Sequence, residues 1–395
     1  MNNKKEVLLV ESHYRSRPWF LALKPKISPI IFSVLPEERK FFIDNGCDKK
    51  KLFYVSSKCS QSYIDKNEID WKLLKKFEEK VNVKIIDLIN ADRTIRNCDT
   101  NIAYLYAQNI INIIYKIDKL YGVYLVIIEP TFLHELLIAV YMSSCGAKVA
   151  NPRPDRFLPN KVVFYEGLRF DKIIKLQKNK NAKIIAKEVI ENVQTSTPPS
   201  FFKENAKRNS ITSDKWIKLY RTSLLSFKNG KNKFIQPSLV NLLSKKILSV
   251  LRRWFLITFY SKNFIKLTEI NEKFIMFPLH VQPEQSIDVA GRPFTDQVAY
   301  IKQLAKILPI DINLVVKEHT HALGSRKISF YKEFNKIHNI KLLDPLTNSG
   351  DVIQKSIGVV TITGTAWLEA FITKKPYLTA VPCLFSDKDN RFFNP

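Results

Sequence analysis

Val359-Val360-Thr361-Ile362-Thr363-Gly364-Thr365-Ala366-Trp367-Leu368-Glu369-Ala370, followed by Lys375-Pro376, reads as a β-branched strand, a glycine turn and a helix with a carboxylate in its first turn. Thr363 or Thr365 is placed to cap that helix. A helix that opens at the end of a strand turns unpaired N–H groups toward whatever lies there, which suits a phosphate. Glu369 is spaced to accept a hydrogen bond from a ribose hydroxyl beside it. The alternative is an ordinary strand-turn-helix unit with a surface glutamate, and the flanking sequence bears on the choice.

Working outward, strands are expected at 273–277, 312–316, 340–343, 358–362 and 376–380, alternating with helices at 294–308, 326–337, 349–355 and 365–373. That alternation is the pattern of a doubly wound parallel sheet, which takes ligands beyond the carboxyl ends of its strands. The first part of the chain shows the same α/β habit. Short β-rich runs at 6–10, 29–34 and 51–55 precede amphipathic stretches at 68–90 and 101–119; a strand at 123–128, a helix at 132–145 and strands near 147–150 and 161–165 follow. From 170 to 270 the pattern loosens into Lys-rich helices broken by Gln194-Thr195-Ser196-Thr197-Pro198-Pro199. The expected organisation is an N-terminal α/β domain at 1–170, a Lys-rich helical insertion or interdomain region at 171–270 and a C-terminal Rossmann-like domain at 271–395.

A chain of 395 residues is long enough for two domains with separate cores. Cys47, Cys59, Cys98, Cys145 and Cys383 are scattered without a CxxC pair, which points to a reducing compartment rather than to a disulfide or zinc framework. The N-terminus lacks the long apolar region of a signal peptide, and no apolar run approaches the roughly 18–20 residues of a spanning helix. A cytoplasmic protein is expected, with any membrane contact peripheral and on the inner face of the plasma membrane. The net charge of +26 would suit a nucleic acid, but 48 Lys against 15 Arg, amid abundant Asn, Ile and Phe, is what an AT-rich coding sequence yields. Aromatics are not interleaved with the basic residues for stacking, so nucleic acid is not an expected partner.

The basic surplus concentrates at 171–270, with 21 Lys/Arg against 6 Asp/Glu. Within it, 239–260 places Leu242, Leu243, Ile247, Leu248, Leu251, Trp254 and Phe255 near one helix face, with Lys245, Lys246, Arg252 and Arg253 beside them. Two readings stand: a helix for an anionic membrane surface, or a core-facing helix with a solvated basic face.

Polar residues gather at three expected strand ends: Gln282 and Glu284 after the first, Lys317-Glu318-His319-Thr320-His321 after the second, and Thr363-Gly364-Thr365 after the fourth. A cation, an imidazole and a helix N-terminus converging on one crevice suit a nucleotide phosphate, while Glu318, Glu284 or His319 could move a proton or hold a ribose. His319 also reads as a hydrogen-bonded loop histidine. Zinc binding by His319 and His321 lacks a clear third ligand.

Residues 278–284 with Asp296-Gln297, then Val316-Lys317-Glu318-His319, then 361–370 and Lys375-Pro376, resemble the C-terminal half of the bacterial capsular polysaccharide synthesis family. The resemblance spans about 270–385 and extends more faintly to Ala91-Asp92-Arg93, Glu129-Pro130-Thr131 and His134-Glu135-Leu136. It departs at Thr320, where the family commonly has Pro, so a looser turn is expected. It implies a GT-B type glycosyltransferase: two Rossmann-like domains facing across a cleft, the C-terminal one binding a nucleotide-sugar donor and the N-terminal one shaping the acceptor side. The helix with which such chains usually close is expected to be missing before Pro395.

On this reading Gly364 and Thr365, with Thr363, hold phosphate, Lys317 neutralises the leaving nucleotide, Glu369 binds ribose and His319 touches phosphate or sugar. Gln282, Glu284 and Glu318 line the donor pocket. Asp92, Glu129 and His134 are the candidates for catalysis on the acceptor side; the structural alternatives are an Asp92-Arg93 salt bridge and a helix-capping role for Glu129. No metal and no cofactor are expected, so basic side chains and the helix dipole must stabilise the phosphate charge. The implied donor is a nucleotide-sugar, with CMP-linked acidic sugars such as Kdo used by some relatives, and the implied acceptor is a surface or lipid-linked glycan. The competing expectation is a membrane-peripheral nucleotide-sugar or glycan-binding protein that keeps the fold without turnover.

Overall fold

The computed structural model describes residues 5–11, 15–55, 68–155, 161–174, 181–195, 239–384 and 392–393. They fall into two compact units, the first holding 5–155 and 161–174, the second 181–195 and the described residues from 239 onward.

In the first unit the strands β1 (Lys5–Val10), β2 (Ile30–Ser33), β3 (Leu52–Tyr54), β4 (Gly122–Ile127), β5 (Lys148–Pro154) and β6 (Val162–Glu166) form one sheet in the order β3-β2-β1-β4-β5-β6. All pairs are parallel except β6 on β5. Its helices are α1 (Arg17–Leu23), α2 (Pro36–Asp44), α3 (Trp71–Val81), α4 (Ile85–Ala91), α5 (Thr100–Leu120) and α6 (Leu133–Ser144). The amphipathic stretch expected at 68–90 is two helices, because Asn82 turns to a left-handed φ of 52° and ends α3. Helix α5 starts where Asp99 accepts from the N–H groups of Asn101 and Ile102, and it buries Ala103, Ala107, Ile110, Ile114 and Ile117 along one stripe.

In the second unit β7 (Lys273–Pro278), β8 (Ile312–Lys317), β9 (Ile340–Leu343), β10 (Gly358–Thr361), β11 (Tyr377–Thr379) and β12 (Phe392–Phe393) form an all-parallel sheet in the order β12-β11-β10-β7-β8-β9. With it go α7 (Ala182–Gln194), α8 (Leu239–Thr258), α9 (Gln297–Ile307), α10 (Ile328–Lys332), α11 (Ser349–Lys355) and α12 (Ala366–Ile372). Alternation along the strands sends Phe277, Leu314 and Val316 to one core, with Ile301 of α9 and Tyr331 of α10. Met276, Val315 and Val359 go to the other, against Val352 of α11 and Trp367 of α12. Each such side chain, fully buried, contributes roughly 1.5–3 kcal/mol. The helix expected at 326–337 is shorter: after Lys332 the chain continues in turns, with Phe334 N–H donating to Tyr331 O and Ile337 N–H to Phe334 O.

Both sheets reverse direction beside their first strand, so each has a switch point: β1 against β4, and β7 against β10. Ligand crevices in open α/β sheets lie beyond the strand ends there. Among the described residues no helix is long and apolar enough to cross a membrane.

Candidate functional site

Beyond β7 and β10 the second sheet's switch point is filled by His280. Its ring Nε2 lies 3.0 Å from Thr361 Oγ1 and accepts from the Thr363 N–H at 3.3 Å, which ties the loop after β7 to the turn after β10. Its backbone is clipped on both sides by Gln297 at the start of α9: His280 N–H donates to Oε1 at 2.8 Å, and Nε2 donates to His280 O at 3.1 Å. Burial, with the charges of His319 and Arg326 adding, holds the His280 pKa down to about 3, so the ring is neutral at ordinary pH. Gln282 closes the same network, accepting from Gln297 Nε2 at 3.2 Å and donating to Asp288 Oδ1 at 2.8 Å. The other Asp288 oxygen accepts from the Glu284 N–H, while the Glu284 side chain is exposed and accepts from Ser286 Oγ.

Lys317 ends β8 as a buried cation. Its Nζ donates to Glu318 O at 3.4 Å and to Pro345 O at 3.3 Å. Burial lowers its pKa to about 8, against the opposing pull of Glu318, Asp344 and Glu369. Lys317 and Glu369 are thus brought within electrostatic reach of each other. Glu318 does not face a ligand. Only 1% of its side chain is exposed, and Oε2 accepts from Arg326 Nε at 2.8 Å and from Tyr331 OH at 2.7 Å. Oε1 accepts from the His319 N–H at 2.7 Å. Arg326 in turn donates to His280 O and lies 4.5 Å over the Phe330 ring. The carboxylate expected in the donor pocket is instead the anchor of the loop that carries His319, which is itself half-buried. At Thr320, where a looser turn was expected, the hydroxyl reaches Pro345 O at 3.4 Å.

The turn after β10 has the backbone the sequence suggests but different caps. Thr365 is the N-cap of α12, yet its side chain makes no capping bond; Thr363 Oγ1 donates instead to Ser286 O at 2.9 Å. The Thr363–Ser286 bond ties this turn a second time to the loop after β7. Gly364 is exposed with φ +84°, and Glu369 is half-buried in the first turn of α12.

The first unit redistributes the acceptor-side candidates. Asp92, buried, accepts at Oδ1 from the N–H groups of Thr94 and Ile95 and at Oδ2 from Leu133 N–H at 2.6 Å, so it caps α6 from 41 positions away. Burial raises its pKa although those backbone donors oppose it. Glu129 makes the salt bridges, to Arg153 Nη1 at 2.6 Å and Arg15 Nε at 3.3 Å. The structural alternatives for the two residues are therefore exchanged, and Arg93 lies over the Phe132 ring rather than pairing with Asp92. His134 is buried between Phe32 and Phe132, with both ring centroids at 6.0 Å. Only Glu129 of the three keeps an exposed edge.

Sequence reading passed over His280, Arg326 and Asp288. His280 lies in the quoted loop two residues past β7, and that position was its signal. Arg326 gave none, since its role depends on contacts across loops, and Asp288 gave none, since nothing in the sequence shows that its carboxylate folds back onto Gln282 and the Glu284 N–H.

Residues 202–386 match the family described as "Capsule polysaccharide biosynthesis protein". Over that stretch, a little under half of its length, the chain is similar to the capsule polysaccharide biosynthesis family. No curated protein sequence matches the chain. Among solved structures it is similar to the beta Kdo 2,7 transferase KpsC of Thermosulfurimonas dismutans, at 12% identity and TM-score 0.35, over 96% of this chain and 80% of that one. It is also similar to a glycosyltransferase from Rickettsia africae (12% identity, TM-score 0.25, 100% and 85% covered) and to UDP-GlcNAc 2-epimerase from Methanocaldococcus jannaschii (13%, 0.24, 98% and 85%). At these TM-scores the likenesses carry no argument about activity.

The family stretch includes Gly364, and one substitution tests whether its turn is built around His280. A Cβ there would stand 3.0 Å from His280 Cε1, and the left-handed φ adds backbone strain. Gly364→Ala should cost about 1–2 kcal/mol from the backbone alone, with more as the ring gives way. Urea unfolding should show it; an unchanged midpoint would mean the turn adapts freely.

Proposed function

We propose that this chain is a glycosyltransferase of the capsule polysaccharide biosynthesis kind that moves a sugar from a nucleotide-sugar to a capsular or other surface glycan, working in the cytoplasm. The observation that carries the reading is the joining of His280 to the Thr363-Gly364-Thr365 turn at the second sheet's switch point, with the buried Lys317 at the end of the neighbouring strand β8. In this reading the first-turn N–H groups of α12 and the Lys317 ammonium receive the phosphates, Glu369 takes a ribose hydroxyl and His319 contacts phosphate or sugar. Gln282 and Glu284 border the donor. Gln285, next to Glu284 in the same loop, supports a ligand here: its buried side-chain amide has no hydrogen-bond partner among the described residues. The resemblance nominates a CMP-linked acidic sugar of the Kdo kind as the first donor to try. On the acceptor side Glu129 is the base candidate that remains accessible, the more so once acceptor binding loosens one of its two arginines.

Calorimetric titration with CMP, UDP and GDP tests the reading. One of the three should bind, and Lys317→Met should weaken it by roughly tenfold or more. Lys317 also predicts two opposite pH effects. Affinity should fall as pH rises through about 8, where the ammonium is lost. Stability should rise over the same window, because above about 8 and below the ordinary lysine range the unfolded chain holds more protons than the folded one. Both trends should vanish in Lys317→Met. Failure of all three nucleotides to bind would sink the proposal.

The burial of Asp92 and His134 favours a second reading, a nucleotide-sugar or glycan-binding protein without turnover. Nucleotide release in the presence of glycan acceptor separates the two. The same assay run with divalent ions and with chelator tests metal dependence, since the Asp387-Lys388-Asp389 triplet lies outside the described residues.

A further inference from the structure

Helix α8 rests on the second unit by one side only. Leu256 is 0% exposed within the core of that unit, and Gly324 brings the loop after β8 against the helix backbone, its Cα so close that an added Cβ would stand 2.1 Å from Ser249 O. The opposite side is bare. Ile247 is 55% exposed, Leu248 46%, Leu251 57%, Trp254 58% and Phe259 55%, with Phe255 at 38%. Leu242 and Leu243, expected on the same face, lie outside the described side chains. The rings form a continuous cluster, Trp254 and Phe255 each packing on Phe259 with centroids 5.2 and 5.4 Å apart.

The charges are arranged around this face. At about 100° per residue, Lys245 and Arg252 fall along one border of the apolar arc and Lys246 and Arg253 along the other, between it and the seated side. No Asp or Glu occurs from 239 to 260. An apolar arc with aromatics, rimmed on both sides by cations and free of anions, complements a surface that is apolar beneath and negative at its edge. A globular partner would need acidic residues to ring its own apolar patch. A bilayer with anionic headgroups has that layout everywhere.

We infer that α8 docks the protein on an anionic lipid surface, its apolar arc entering the headgroup boundary and Lys245, Lys246, Arg252 and Arg253 meeting lipid phosphates. This inference rests on the second unit alone and stands whether or not the nucleotide reading holds. The seat at Gly324 puts the docked helix directly on the loop that leads from His319 to Arg326, so lipid contact and the candidate site share one element.

Flotation of the full chain with vesicles of phosphatidylcholine alone or mixed with phosphatidylglycerol tests it. The protein should float with the mixed vesicles, be released by high salt and bind pure phosphatidylcholine weakly. Leu251→Glu with Trp254→Glu should abolish flotation. Lys245→Glu with Lys246→Glu should weaken it roughly thirtyfold on anionic vesicles while leaving the weak neutral binding. All four positions are exposed, and circular dichroism melts of each variant check that the fold survives. The inference is overturned if the wild-type chain fails to float at low salt. It is equally overturned if the Leu251/Trp254 variant floats like the wild type, or if those substitutions instead break a dimer seen by sedimentation equilibrium, which would assign the face to a second copy.

Discussion

Glu318→Ala should destabilise the second unit by about 3–5 kcal/mol, the cost of leaving one member of a buried ion pair without its partner. The Arg326 side chain is 9% exposed and its counter-charge 1% exposed, so water cannot replace the carboxylate. Tyr331, fully buried in the core beneath, loses its hydroxyl acceptor in the same step. Glu318→Gln keeps an acceptor for Tyr331 and removes only the charge, so it should fall between wild type and alanine. Urea unfolding of both variants gives the comparison. A loss below about 1 kcal/mol, the range of an exposed pair, would show that the loop reorganises and that the anchor role is wrong. Because Arg326 also holds His280 O, the alanine variant should in addition loosen the loop after β7.

Gly324→Ala should have the second-largest effect. The backbone there has φ +86°, and the new Cβ would stand 2.1 Å from Ser249 O and 2.9 Å from both the Arg253 N and Cβ. The obstruction is helix backbone rather than the end of a flexible side chain, so α8 must lift. Left-handed strain of about 1–2 kcal/mol adds to overpacking of about 1–3 kcal/mol. Gly146→Ala separates the two contributions, since Gly146 has φ +87° and nothing within 4 Å of an added Cβ. Hydrogen exchange across α8 should quicken in the Gly324 variant and stay unchanged in the Gly146 variant. Equal behaviour of the two would mean that α8 is not seated on this loop.

The sheets were legible because their determinants are local. The runs at 273–277, 340–343 and 358–362 are mostly apolar, are followed by polar or turn residues, and appear within a residue or two of β7, β9 and β10. Helix 349–355 was legible for the same reason, with Asn348 accepting from the Gly350 N–H at its start. At 68–90 the local signal misled because of a single backbone position, Asn82, which divides one amphipathic stretch into α3 and α4.

The site was legible as a set of positions and opaque as a set of roles. Lys317, Glu318 and Gly364 were found because polar residues at the end of a buried strand stand out. What each of them holds did not follow, because that depends on what the neighbouring loops supply. Glu318 accepts from Arg326 and Tyr331, while the equally buried Lys317 donates to the carbonyls of Glu318 and Pro345. Asp92 and Glu129 make the same point in the first unit, each taking the part expected of the other.

The sequence by itself determined two largely parallel α/β sheets and the strand ends at which chemistry would gather, because side-chain alternation, turn residues and caps act over a few neighbouring positions. Tertiary structure alone decided that His280 joins the turn 81 positions away, that Glu318 is an anchor, and that α8 leaves its apolar face outside. Those outcomes depend on strand order, which sets loops far apart in the chain side by side, and a buried charge or an apolar face acquires its role only from what is placed against it.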